Sequence, residues 1–160
     1  MQIHVRLGNH EDIHAIKTLA IERCKVNIPP TRNVSEEEVK RNIESTFSLW
    51  AKTTPNIPFL KILILEDKET KTFLGYLLLL LNQIEPATGE KQAFILDCAI
   101  VSKYEGKKLW IPLMEKAEEI AREHHHRYIV GMITVTNKTS LLLSQRLGYK
   151  IERYQVVKIL

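Results

Sequence analysis

Asp97 and Cys98 stand side by side inside an otherwise apolar run, Ala93 to Val101, and are the residues whose types and setting most suggest chemistry. An unpaired carboxylate is costly to bury, so Asp97 either reaches water in a cleft or is held by a hydrogen-bond partner. Cys98 acts as a nucleophile only if something activates its thiol; no histidine is spaced to do so, and a small buried strand residue is the plainer account. His124, His125 and His126 resemble a metal cluster at first sight. Adjacent residues at a helix end point in different directions, however, and three cationic rings suit the negative end of a helix better, so no metal site is expected.

These residues need elements to position them. Gln2 to Arg6 alternates polar and apolar residues and predicts a strand, stopped at Gly8-Asn9. Ile13, Ile16, Leu19 and Ala20 recur at helical spacing from Asp12, and Pro29-Pro30 must end that helix. Ser35 and Glu38 form a capping-box pattern ahead of a second helix with Val39, Ile43, Phe47 and Trp50 on one face, ending before Pro55. Leu60 to Leu65 and Phe73 to Leu81 predict two buried strands around a charged turn, and Ala93 to Val101 a third. Leu109 to Arg122 is amphipathic, Tyr128 to Val135 reads as a strand, Lys138 to Leu147 as a helix closed by Gly148, and Tyr149 to Leu160 as a last strand. The order βααβββαβαβ describes a mixed α/β domain with one central sheet.

Its 160 residues match one domain, spanning 1–160, and 44% hydrophobic with 26% charged residues is the balance of a folded globular chain. The longest apolar run is too short for a bilayer-spanning helix, and residues 1–10 are no signal peptide, so neither membrane insertion nor secretion is expected. Two cysteines without zinc-finger spacing fit a reducing cytoplasm. A formal charge of +4 mildly favours anionic ligands but lacks the dense basic stripe of a nucleic-acid binder.

Two stretches, in this order, resemble the GNAT superfamily of N-acetyltransferases. One is Asp97-Cys98-Ala99-Ile100-Val101-Ser102-Lys103-Tyr104-Glu105-Gly106-Lys107-Lys108, a strand feeding a turn and a long helix; the other is Asn137-Lys138-Thr139-Ser140 through Arg146-Leu147-Gly148-Tyr149. Arg6 with Asp12, and Leu74-Gly75-Tyr76, are smaller echoes. The resemblance implies a central, mostly antiparallel mixed sheet with helices on both faces, and acetyl-CoA as co-substrate. By position it assigns Cys98, Ala99 and Ile100 to the pantetheine arm, Glu105, Gly106, Lys107, Lys108, Leu109 and Trp110 to the pyrophosphate turn, and Asn137 to the far side of the cleft. A helix start attracts polyphosphate in any fold, through amides and dipole.

The family's turn is usually Arg/Gln-x-x-Gly-x-Gly/Ala, and here those places hold Glu105, Lys108 and Trp110, with Gly106 kept. Pro112 donates no amide and belongs in a first helical turn, so the helix is expected to begin near Lys108 or later, with a shorter or displaced amide cradle. Lys103, Lys107 and Lys108 either neutralise phosphates or form a solvated turn. Where many members carry a tyrosine acid, Ser144 stands; it would hydrogen-bond the sulfur or hold a water. Asp97 is the best-placed base. Phe47 and Trp50 either line the acceptor pocket or pack on the sheet. The resemblance thus implies an N-acyltransferase moving acetyl from acetyl-CoA to a small-molecule or peptide amine by direct attack. The altered turn and missing tyrosine support an alternative, a catalytically inactive binding or regulatory module. Either a tight hairpin at Glu152 to Tyr154 closes the sheet, or one long strand leaves an edge that a second copy would cover as a homodimer.

Overall fold

The computed structural model describes residues 1–53 and 59–160. Five strands, β1 (Ile3–Leu7), β2 (Leu60–Asp67), β3 (Phe73–Ile84), β4 (Lys91–Ile100) and β5 (Ile129–Gly131), lie in chain order across one sheet. Neighbours are antiparallel except β4 and β5, which are parallel. The helices are α1 (Ile13–Arg23), α2 (Glu36–Thr53), α3 (Trp110–Glu123) and α4 (Lys138–Arg146). Single-turn 3-10 segments precede and follow α1 and lead out of β4.

Residues 74–79 of β3 are buried without alternation because both faces of the strand are covered. Leu77 and Leu79 meet Leu113, Met114, Ala117, Ile120 and Ala121, which form one stripe on α3. Tyr76 and Leu78 point the other way, into a core with Ile13, Ile16, Leu19 and Ala20 of α1 and Phe47 of α2. Phe47 and Trp50 meet edge-to-face, ring centroids 5.1 Å apart, with Trp50 against the same core, so both pack on the sheet. Leu113 is wholly buried, and truncating it to alanine is expected to cost about 2–5 kcal/mol.

Local chemistry sets the boundaries. The Ser35 hydroxyl accepts from the Glu38 amide at 3.2 Å while the Glu38 carboxylate accepts from the Ser35 amide at 2.8 Å, so the capping box starts α2 as its spacing predicts. The stop expected at Pro55 falls outside the described residues; α2 reaches Thr53. Helix α1 ends at Arg23, before its two prolines, by tightening into a 3-10 turn over Cys24–Asn27.

Two strand expectations fail for one reason. Residues 128–135 were expected to pair throughout, yet β5 covers only Ile129–Gly131, because its partner turns away. On β4 the register with β3 jumps from Ile95 opposite Leu79 to Asp97 opposite Leu78, leaving Leu96 as an extra residue that bends the strand. Tyr149–Leu160 forms no strand: residues 150–160 are exposed and irregular, with Arg153 ion-paired to Glu85. Strand propensity needs a ladder to join, and a three-residue β5 offers little.

Candidate active site

The bend at Leu96 opens a fork in the sheet. Ladder contacts between β4 and β5 stop at Ile95–Gly131, whereas β4 continues through Asp97, Cys98, Ala99 and Ile100, which among the described residues pair with β3 alone. Val101 donates its amide to Leu74 on β3, so strand alternation turns the amides of Cys98 and Ile100 toward the opposite, unpaired edge. The Cys98 amide is taken by the side chain of Asp97, at 2.9 Å. Ile100 is left as the amide that faces the fork. Gly75, opposite Ile100, lets the strands come this close: a Cβ there would lie 2.5 Å from the Ala99 carbonyl oxygen.

Asp97 is half-buried at the apex of the fork. Its other carboxylate oxygen accepts from the Tyr76 hydroxyl at 2.5 Å. Burial pushes the Asp97 carboxyl above the usual carboxylate range, and the bonds from Tyr76 and the Cys98 amide hold it back in part. Burial likewise raises the Cys98 thiol to about 12, with the Asp97 charge adding to it, which leaves the sulfur protonated and inert.

Past β4 the chain makes a 3-10 turn at Ser102–Tyr104 and enters α3 at Trp110, consistent with a late helix start and with Pro112 in the first turn. Gly106 (φ +77°) and Lys108 (φ +58°) are both left-handed. For lysine that conformation costs on the order of 1 kcal/mol. The amides of Gly106, Lys108, Leu109 and Trp110 donate to no main-chain carbonyl among the described residues. Such a run of free amides at the positive end of a fourteen-residue helix fits a polyphosphate. The Trp110 indole packs against the α3 core, and Leu109 is buried there. The ammonium groups of Lys103 and Lys107 lie 4.9 and 5.2 Å from the centre of the Tyr104 ring.

Glu105 would repel a phosphate, but Arg23 Nη2 lies 2.6 Å from its carboxylate. The Ser102 hydroxyl also donates to Glu22, so the end of α1 is fastened to the turn at two points. On the far side of the fork, the Thr134 hydroxyl donates to the Asn27 carbonyl at 3.2 Å, joining the exit of α1 to the chain beyond β5. Asn137 caps α4 by accepting from the Ser140 amide at 3.2 Å. Ser144 is half-buried on α4 and makes no side-chain hydrogen bond to Asp97 among the described residues. The structure therefore brings Asp97, Cys98 and Ile100 together at the fork, continues them into the turn of Glu105–Trp110, and leaves Ser144 outside that network.

His126 is buried and accepts from the Asn82 amide at 3.3 Å, while His124 and His125 are exposed. That bond ties the chain after α3 to β3. Sequence reasoning missed Tyr76 and Arg23. Tyr76 lay in a quoted motif, but its partner follows only from the bulged register; Arg23 and Glu105 are distant in sequence and carry no local sign of pairing.

Residues 27–149 match the family model for the acetyltransferase (GNAT) family. Solved structures agree in fold: a candidate acetyl transferase from Pyrococcus furiosus superposes with a TM-score of 0.80 at 23% identity, over 99% of this chain and 100% of that one. A GCN5-related N-acetyltransferase from Ralstonia eutropha gives 0.77 at 12% identity, over 98% of both chains. AAC(6')-Iy, solved in complex with the bisubstrate analogue CoA-S-monomethyl-acetylneamine, gives 0.70 at 11% identity, over 99% of both. No curated protein matches in sequence. The match over 27–149 and the forked sheet together make this chain a member of the GNAT acetyltransferase family.

Proposed function

We propose that the chain transfers an acetyl group from acetyl-CoA to a primary amine, by direct attack within a ternary complex. The observation that carries this reading is the continuity of the fork with the amide-lined turn: among the described residues, one path offers a strand edge without a strand partner, then four amides without a main-chain acceptor, and the lysines at 103, 107 and 108. The turn would bind the pyrophosphate through Gly106, Lys108, Leu109 and Trp110, with Lys107 and Lys108 adding charge and the Arg23 pair cancelling that of Glu105. Cys98 and Ala99 would contribute backbone to the pantetheine arm, and Asn137 would border it from α4.

The Ile100 amide would stabilise the negative charge that develops on the thioester oxygen. Asp97 would take the proton that the amine must lose, directly or through one water. Once the carbon–sulfur bond breaks, the thiolate needs a proton, for which the Ser144 hydroxyl is our candidate donor, through water. Serine is a weak acid, so orientation and oxyanion stabilisation would supply most of the rate. The acceptor is a small-molecule or peptide amine.

The second reading, a binding module without activity, is favoured by Ser144 standing outside the Asp97 network. Release of CoA thiol from acetyl-CoA, followed across a panel of amines and amino-terminal and lysine peptides, separates the two. Amine-dependent release that falls at least tenfold in Asp97→Asn supports transfer; acetyl-CoA binding without release for any amine supports the module.

No helix among the described residues is long and apolar enough to cross a membrane. Two free thiols, at Cys24 and Cys98, support a cytoplasmic setting in this proposal. We also propose that two copies pair, since the outer edge of β5 has no strand partner among the described residues while the strand-prone segment 149–160 lies exposed. Light scattering reads the mass directly: twice the chain mass supports pairing, and a single chain mass at micromolar concentration refutes it.

A further inference from the structure

Tyr76 is wholly buried on β3, between the sheet and α1, yet its hydroxyl is not spent on a backbone group. It donates to Asp97 beside one of the two places where the register with β4 slips, the one between Leu78 and Leu79. Without the extra residue Leu96, Asp97 would project from the other face of β4 and lose this partner. The two oxygens of Asp97 are held by different elements, one by Tyr76 and the other by the Cys98 amide. The carboxylate is thus fixed in orientation at the apex of the fork.

We propose that Tyr76 is a positioning residue for acetyl transfer: its phenol donates to Asp97 and holds that carboxylate ionised and aimed into the fork, where the incoming amine must lose its proton. This rests on the reading of Asp97 as the base. The physical argument does not depend on the acceptor. A carboxylate in an apolar fork takes up a proton more readily than one in water, and a neutral donor that gives no proton of its own opposes that uptake. Tyr76 meets that requirement because burial and the Asp97 charge both raise its phenol, so the proton stays on tyrosine when Asp97 is charged. No cation is paired with Asp97 among the described residues; the titratable groups that face it are Tyr76 on β3 and the thiol of Cys98 on β4, and both remain neutral. The arrangement gives a base whose charged form is favoured by a neutral donor rather than quenched by an ion pair among the described residues.

The test is a carbon-13 NMR titration of the Asp97 carboxyl in the full chain and in Tyr76→Phe, with Asp97→Asn to assign the signal. Losing a hydrogen bond to a charged acceptor tightens proton binding on the order of tenfold, so the Tyr76→Phe midpoint is expected to move to higher pH by the corresponding amount. An unmoved or lowered midpoint overturns the proposal. If Tyr76→Phe does not fold, the wild-type chain still decides: the Tyr76 Cζ signal must titrate with the Asp97 midpoint, and a signal indifferent to that midpoint overturns the proposal. Failure of the parent reading looks different, for then Asp97→Asn retains amine-dependent thiol release while the NMR midpoint still shifts in Tyr76→Phe.

Discussion

Arg23, the last residue of α1, pairs at 2.6 Å with Glu105 in the turn between β4 and α3. The contact joins the end of α1 to the element proposed to grip pyrophosphate. It also explains how an acidic residue is tolerated there, since the pair presents no net charge to a phosphate.

Arg23→Ala is therefore expected to weaken acetyl-CoA binding by about three- to tenfold by exposing the Glu105 charge, a loss of on the order of 1 kcal/mol for half-exposed groups. Adding Glu105→Gln should restore affinity. Isothermal titration of the single and double variants checks this, and a double variant as weak as the single one would assign Arg23 a different role.

A second expectation concerns acid stability. Arg6 Nη1 and Nη2 bond both oxygens of Asp12 at 2.8 and 2.6 Å, and Nε bonds buried Glu66 at 2.8 Å. The Arg6 bond lowers Glu66 against the opposing effect of burial; for Asp12, burial pushes upward, but the Arg6 and Asn9 hydrogen bonds outweigh it. Both groups are depressed in the folded state, so their contribution is present above the free values of 4.5 and 3.8 and is lost as pH falls below them. Arg6→Ala should cost about 2 kcal/mol at pH 7, and the difference from wild type should shrink toward pH 3 in urea titrations.

Cys98 offers a third. With its thiol raised to about 12, alkylation by iodoacetamide at pH 8 should be far slower than for a free cysteine. Cys98→Ala should keep its transfer rate within about threefold, because the proposed role uses only the backbone. Loss of more than tenfold in a folded variant would reopen the thiol as a participant.

Gly75→Ala tests the fork's construction. The added methyl would meet the Ala99 carbonyl oxygen at 2.5 Å, and strand backbone cannot yield cheaply. A destabilisation of about 1–3 kcal/mol is expected, read as a lower urea midpoint.

The sheet, four helices and their order were legible because their signals are local: the stripe of Leu113 to Ala121, the box of Ser35 and Glu38, the double-sided burial of 74–79. The turn proposed to hold phosphate was legible as a place from its flanking motifs, and the late helix start from Pro112. What stayed hidden depends on residues far apart in the chain. The bulge at Leu96 sets which face Asp97 occupies, decides that Tyr76 is its partner, and cuts β5 to three residues, and no residue at 96 announces it. The same holds for Arg23 and Glu105. The last strand was misread because Tyr149 to Leu160 has strand composition without a neighbour to pair with.

Thermal unfolding in the presence of acetyl-CoA tests the central claim most directly. A fork and turn that hold a nucleotide-tailed thioester require the melting temperature to climb with the logarithm of acetyl-CoA concentration, and Lys108→Glu to abolish most of that rise while leaving the ligand-free value within about 2 °C. A melting temperature that does not move at millimolar acetyl-CoA would contradict the account.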